Sequence, residues 1–184
     1  HCINEYRLAL QCDPEQPEIY FRIGQVDLLR AKRSHNPEEK RELSEEASNY
    51  FKIALELRKG ESKDIAKMYY WLGKSSLIMG SYHEARAYLE TAESLSIAPI
   101  KVAFHLGEAY LGMGLFATSE NYFEQVRRHL DKSIRDSTIS RDSWLQSEVE
   151  EFLEDDVCAG ALLARWHIRN ATLAIHTSQS GEEA

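Results

Sequence analysis

The sequence predicts an all-α protein, an α-solenoid of antiparallel helix pairs closed by a C-terminal capping helix or helix pair. Three observations predict it. Gly73 and Gly107 lie 34 residues apart, each after a Leu in the same phase of an apolar helical pattern, Trp71-Leu72-Gly73 and His105-Leu106-Gly107. Small residues follow both at one offset, Ala85 and Ser119, large apolar ones at a second, Leu89 and Phe123, and Ala92 and Val126 at a third. Further on, Leu145, Val149 and Phe152 form one helical stripe, and Leu153, Val157, Ala161, Ala164, Ile168, Ala171 and Ile175 continue one at intervals of four or three. A fixed period of this length marks stacked units that bury their apolar faces against one another.

These spacings resemble the tetratricopeptide repeat (TPR), a unit of two antiparallel helices, A and B. With Leu-Gly at repeat positions 7 and 8, one unit starts at Ala66 and the next at Ile100. The small residues then fall at position 20, where the two helices touch, and the large ones at position 24. Two slots depart from the pattern: position 11, usually Tyr, is Tyr110 in one unit and Ser76 in the other, and position 4 is Tyr69 against Ala103.

The same template orders the whole chain. Residues 1–16 read as the second helix of an incomplete repeat, with Cys2, Tyr6, Ala9 and Pro14 in its register, so the chain is expected to be a piece of a longer protein. Residues 17–65 form a repeat beginning at Pro17, with Tyr20 at position 4 and Ile23-Gly24 at positions 7 and 8. Its second-helix signature, Ala47, Phe51 and Ala54, comes 11 residues late. Asn36-Pro37-Glu38-Glu39 supplies an N-cap, a first-turn Pro and a capping-box acid, so a long helix B is expected from Pro37 to about Arg58. A slack of 4 residues follows between Arg58 and Lys63, with Gly60 as C-terminal cap. Residues 66–99 and 100–133 are regular repeats, 134–177 the capping segment, and 178–184 a polar tail.

The composition narrows the function. A net charge of −8 on 184 residues opposes nucleic-acid or anionic-membrane binding. No apolar run approaches the roughly 18 residues of a membrane span. One local exception is a basic block, Arg127, Arg128, Lys132, Arg135 and Arg141, beside an acidic one, Asp142, Glu148, Glu150, Glu151, Glu154, Asp155 and Asp156. Docking of the two within the chain is the first expectation, and an acidic or basic partner site the second. Of the three Cys, Cys2 and Cys12 sit on one helix, roughly 15 Å apart and beyond disulfide reach. With Cys158 they fit a reducing, cytoplasmic setting, although a secreted or periplasmic parent stays open.

Signs of catalysis are missing. The seven His form no HExxH or HxH pair and no CxxC accompanies them, so neither metal nor cofactor is expected. Gly112-Met113-Gly114 lacks the third Gly and the preceding strand of a nucleotide loop and reads as a turn. Asn170-Ala171-Thr172 matches a glycosylation sequon inside a helical stripe and reads as chance.

The resemblance implies a binding surface. In the family, helix A lines the concave face, chiefly through positions 2, 5, 9, 12 and 13. Here these are Glu18, Phe21, Gln25, Leu28 and Leu29, then Lys67, Tyr70, Lys74, Leu77 and Ile78, then Lys101, Phe104, Glu108, Leu111 and Gly112. Position 5 is aromatic and position 12 is Leu in all three, so an aromatic and aliphatic strip edged by Lys67, Lys74 and Lys101 is expected. The family's terminal-carboxylate clamp is absent, because Phe21, Gln25 and Trp71 stand where it needs Lys and Asn. The resemblance therefore implies a non-catalytic scaffold or adaptor whose groove takes a protein or peptide with an apolar face. Phe21, Tyr70 and Phe104 are expected to be partly exposed anchors. Competing readings are plain packing between A helices, self-occupancy by the C-terminal helix, self-association into a homo-oligomer, and a small hydrophobic ligand enclosed by Tyr70, Trp71, Phe104 and His105.

Overall fold

The computed structural model describes residues 2–58, 62–95 and 99–135. These form seven helices and, among the described residues, no strand: α1 (Cys2–Cys12), α2 (Pro17–Arg33), α3 (Pro37–Leu57), α4 (Ser62–Ile78), α5 (Tyr82–Ser94), α6 (Pro99–Gly112) and α7 (Phe116–Arg135). The chain divides into two compact units, His1–His129 and Leu130–Ala184. Within the first, each helix from α1 to α6 packs on the next, and α2, α4 and α6 also touch in succession. Ser119 Oγ on α7 donates 2.8 Å to the Gly107 carbonyl of α6, which closes the last described pair. Local pairing plus contact between alternate helices is the stacking that a helical repeat requires.

The repeat glycines explain the pairing. A Cβ on Gly24 would stand 2.7 Å from Phe51 Cε1, one on Gly73 2.5 Å from Leu89 Cγ, and one on Gly107 2.7 Å from Phe123 Cε1. Each A helix thus presents bare backbone at position 8 to the large position-24 residue of its own B helix. Ala47, Ala85 and Ser119 at position 20 are fully buried in the same joints. Close packing leaves no space for an extra methyl there.

The two regular repeats turn identically between their helices. Gly80 and Gly114 adopt φ of 73° and 75°. Gly80 N donates to Leu77 O and Ser81 N to Ser76 O at 3.0 and 2.9 Å, while Gly114 N donates to Leu111 O and Leu115 N to Tyr110 O, both at 2.9 Å. These are Schellman caps, which place a left-handed residue directly after the helix. The expected turn at Gly112-Met113-Gly114 is thereby located.

The first repeat has Ala31 where the others have this glycine, and α2 runs on to Arg33. Helix α3 then starts at Pro37 and runs 21 residues against 13 for α5, so the insertion does lengthen helix B as the sequence indicates. Its cap differs from the expected box. Asn36 Oδ1 accepts from Glu38 N at 2.9 Å. Glu39, however, accepts from Ser34 Oγ at 2.6 Å, and that hydroxyl accepts from Asn36 N at 3.2 Å. A serine hydroxyl two residues upstream of the cap bridges the acid to the backbone donor it was expected to reach directly.

The slack near residue 60 is also taken up differently. Helix α4 begins at Ser62, four residues ahead of the repeat start at Ala66, so about one extra helical turn absorbs it. The Gly60 cap, Cys158, the sequon, the acidic block from Asp142 to Asp156 and the capping segment beyond residue 135 lie outside the described residues. Of the basic block, Arg127 Nη2 and Arg128 Nε pair with Glu124 of their own helix at 2.6 and 3.3 Å.

Candidate functional site

Residues three and four apart on a helix share a face. On α2 this aligns Glu18, Phe21, Arg22 and Gln25, and on α4 Asp64, Lys67, Met68 and Trp71. Together with Tyr70, Arg58 from the end of α3 and Lys101 from the start of α6, they line one cleft of about 330 Å³. The cleft therefore takes position 2 of all three repeats, position 5 of the first two and position 9 of the first. A second cleft of about 400 Å³, lined by Arg41, Glu45, Ser48, Asn49, Lys52, Met79, Ser81 and Glu84, has no aromatic residue in its lining.

Aromatic rings floor the first cleft. Phe21 and Tyr70 meet Trp71 edge-on, with centroids 6.3 and 5.9 Å away and planes at 84° and 80°. Lys74 Nζ lies 5.2 Å from the Trp71 ring and 5.7 Å from that of Tyr70, within cation–π range. Tyr70 is fixed from below, its hydroxyl 3.1 Å from His105 Nε2. The other ring nitrogen, Nδ1, is bonded to Glu108. A carboxylate only accepts, so Nδ1 carries the hydrogen, and in that tautomer Nε2 accepts from the tyrosine.

The rim is charged. Glu18 pairs with Arg22 at 3.0 Å and with Arg58 at 3.6 Å. Asp64 pairs with Arg58 and, at 3.4 Å, with Lys67. Arg22 Nη1 donates to Gln25 Oε1 at 3.1 Å. Exposed pairs of this kind contribute about 0 to 1 kcal/mol each, so their main effect is to hold the long side chains around the opening.

Of the residues named from the sequence, Glu18, Phe21, Gln25, Lys67, Tyr70 and Lys101 come together in this cleft, while Lys74 lies over its rings. Leu28, Phe104 and Leu111 are buried, Leu77 is half-buried, and Glu108 is drawn to His105; none of these lines the opening. The expectation of partly exposed anchors does not hold. Phe21 is 7%, Tyr70 8% and Phe104 1% exposed. Their own B helices and neighbouring rings cover them: Phe21 packs on Phe51 at 5.6 Å, and Phe104 on Phe123 at 5.9 Å. Phe104 and His105 are also missing from the lining that the small-ligand reading needs.

Sequence reasoning missed Arg22, Arg58, Asp64 and Met68, and named Trp71 as a lining residue only for the small-ligand reading. Arg22 and Trp71 share position 6, one residue past the aromatic position and on the same turn, so the stripe could have been widened to include them. Arg58 and Asp64 flank the irregular connection, for which a fixed period gives no register.

Among the described residues, no three His, Cys, Asp or Glu are grouped to hold a metal ion, and no helix is long and apolar enough to cross a membrane. No match to a curated protein is found. The tetratricopeptide repeat family model matches residues 66–96, which takes in most of α4 and all of α5. The unit whose register was set by Gly73 is the one that this family model matches.

Proposed function

We propose that the chain is a non-catalytic interaction scaffold whose A-helix cleft takes an apolar or amphipathic segment of a protein partner. A tetratricopeptide repeat is in general a protein-interaction unit, and the coarse assignment rests on that. The finer reading is carried by one observation: equivalent positions of successive repeats converge on a cleft with an aromatic floor and a ring of long polar side chains. A concave, mostly apolar floor with a few polar groups around it is the usual form of a peptide or small-ligand site. At about 330 Å³ it is at the low end of the ~300 to 1,000 Å³ typical of enclosed small-ligand pockets, which suits anchoring side chains of a peptide. The exposed free thiol of Cys12 suits a cytoplasmic setting, where thiols stay reduced.

A photo-crosslinker placed at Lys67, on the cleft wall, and separately at Ile53, an exposed position on α3, tests the reading. The expected result is one partner captured from Lys67 and none from Ile53. Capture from Ile53 alone, or equally from both, overturns the cleft as the binding surface.

A further inference from the structure

The charge around this cleft is opposite in sign to that of the chain. Among the described residues, four cations, Arg22, Arg58, Lys67 and Lys101, line it against two carboxylates, Glu18 and Asp64, whereas the whole chain carries −8. Each carboxylate already serves two cations, Glu18 both arginines and Asp64 Arg58 with Lys67. Lys74 adds a fifth positive charge over the Tyr70 and Trp71 rings, and Glu108, bonded to the His105 beneath Tyr70, a third carboxylate. Low-dielectric aromatic walls strengthen the field of such a cluster at the opening.

We infer that the partner segment is acidic: a peptide whose apolar anchor sits on the half-buried Trp71, between the edges of Phe21 and Tyr70, while flanking Asp or Glu side chains meet Arg58, Lys67 and Lys101. This rests on the cleft being the binding surface and adds the partner's chemistry. A basic segment would face a net repulsive rim. A long polyanion such as RNA would gain locally from the same cations yet be repelled by the rest of a chain at −8. A short segment of alternating apolar and acidic residues satisfies both the floor and the rim.

The test uses the full 184-residue chain and three short fluorescein-labelled peptides that share Phe and Leu anchors, flanked by Asp and Glu, by Asn and Gln, or by Lys. Expected is at least ten-fold tighter binding of the acidic peptide than of the other two at low salt, with the advantage shrinking as salt rises. The double variant Lys67→Glu, Lys101→Glu reverses two exposed side chains, with little expected effect on folding. It should weaken the acidic peptide at least ten-fold and tighten the Lys peptide. Equal binding of the acidic and neutral peptides, both blocked by Gln25→Trp, would overturn acidic selectivity while leaving the cleft as a binding surface. Failure of every peptide would remove the cleft reading as well, including the case in which the chain sediments as a dimer that the double variant dissociates. Tighter binding of single-stranded RNA than of the acidic peptide, lost in the double variant, would overturn the peptide assignment in favour of a polyanion.

Discussion

Two residues show how burial decides what a side chain can do here. Phe104 sits at the repeat position that suggested a partner anchor, yet it is 1% exposed and packs on Phe123 at 5.9 Å. A buried Phe contributes to folding first, so Phe104→Ser should cost about 3 to 5 kcal/mol of stability, read from its urea midpoint. A shift below about 1 kcal/mol would show the ring to be loosely held and return it to the candidate anchors. Glu124 illustrates charge. The Arg127 guanidinium bonded to it, with Arg128 beside it, holds its carboxyl down from 4.5 to about 2, against the opposing effect of burial. In the unfolded chain the same group takes up its proton near 4.5, so its contribution to stability is complete above that pH. It is lost as pH falls towards 2. Glu124→Gln should therefore flatten the urea midpoint between those two pH values relative to the parent, and an unchanged slope would mean that the Arg127 contact does not persist in solution.

At the scale of elements, glycines do two different jobs and the sequence reveals both through one interval. Gly73 and Gly107 mark where helices press together, and Gly80 and Gly114 mark where the chain reverses; each pair is 34 residues apart. A Cβ on Gly73 meets Leu89 at 2.5 Å, whereas one on Gly80 meets nothing within 4 Å but must adopt a φ of 73°. Gly73→Ala should thus cost about 1 to 3 kcal/mol through overpacking. Gly80→Ala should cost about 1 to 2 kcal/mol through backbone strain alone. Combining Gly73→Ala with Leu89→Val, which draws back the opposing side chain, should recover part of the first loss. No such relief exists for Gly80, and recovery there would contradict the conformational origin. The legible elements were those that a fixed period constrains. The long α3 was legible because Asn36 and Pro37 announce its start, while the early start of α4 was not, since nothing in Arg58 to Lys63 says whether slack becomes loop or an added helical turn.

For the molecule as a whole, the repeats were readable and their shared cleft only in part. Periodicity locates the face of each A helix, and of the residues it named, Glu18, Phe21, Gln25, Lys67, Tyr70 and Lys101 share the cleft. It does not say how deep a residue lies once the neighbouring repeat is added, so Leu28, Phe104 and Leu111 went to the core instead. Trp71 is where the two questions meet. Its half-buried ring lies 6.3 Å from Phe21 and 6.1 Å from Phe51, both in the preceding repeat, and 5.9 Å from Tyr70 in its own. Ser75 Oγ, donating 2.5 Å to the Ser44 carbonyl, is the neighbouring polar tie between the same two repeats. In a stack, stability is a sum of intrinsic repeat terms and nearest-neighbour interfaces, so an interface residue controls whether units unfold together. Trp71→Ala removes burial and ring contacts of order 2 kcal/mol or more, from the interface with Phe21 and Phe51 and from the packing on Tyr70 in its own repeat. Amide hydrogen exchange on the variant should show α2 and α3 losing protection well ahead of α5 and α6, because the first repeat is held to the next chiefly through that joint. Protection lost evenly from α2 to α6 would mean that Trp71 stabilises the stack as one cooperative core, and the coupling of floor to joint would be wrong.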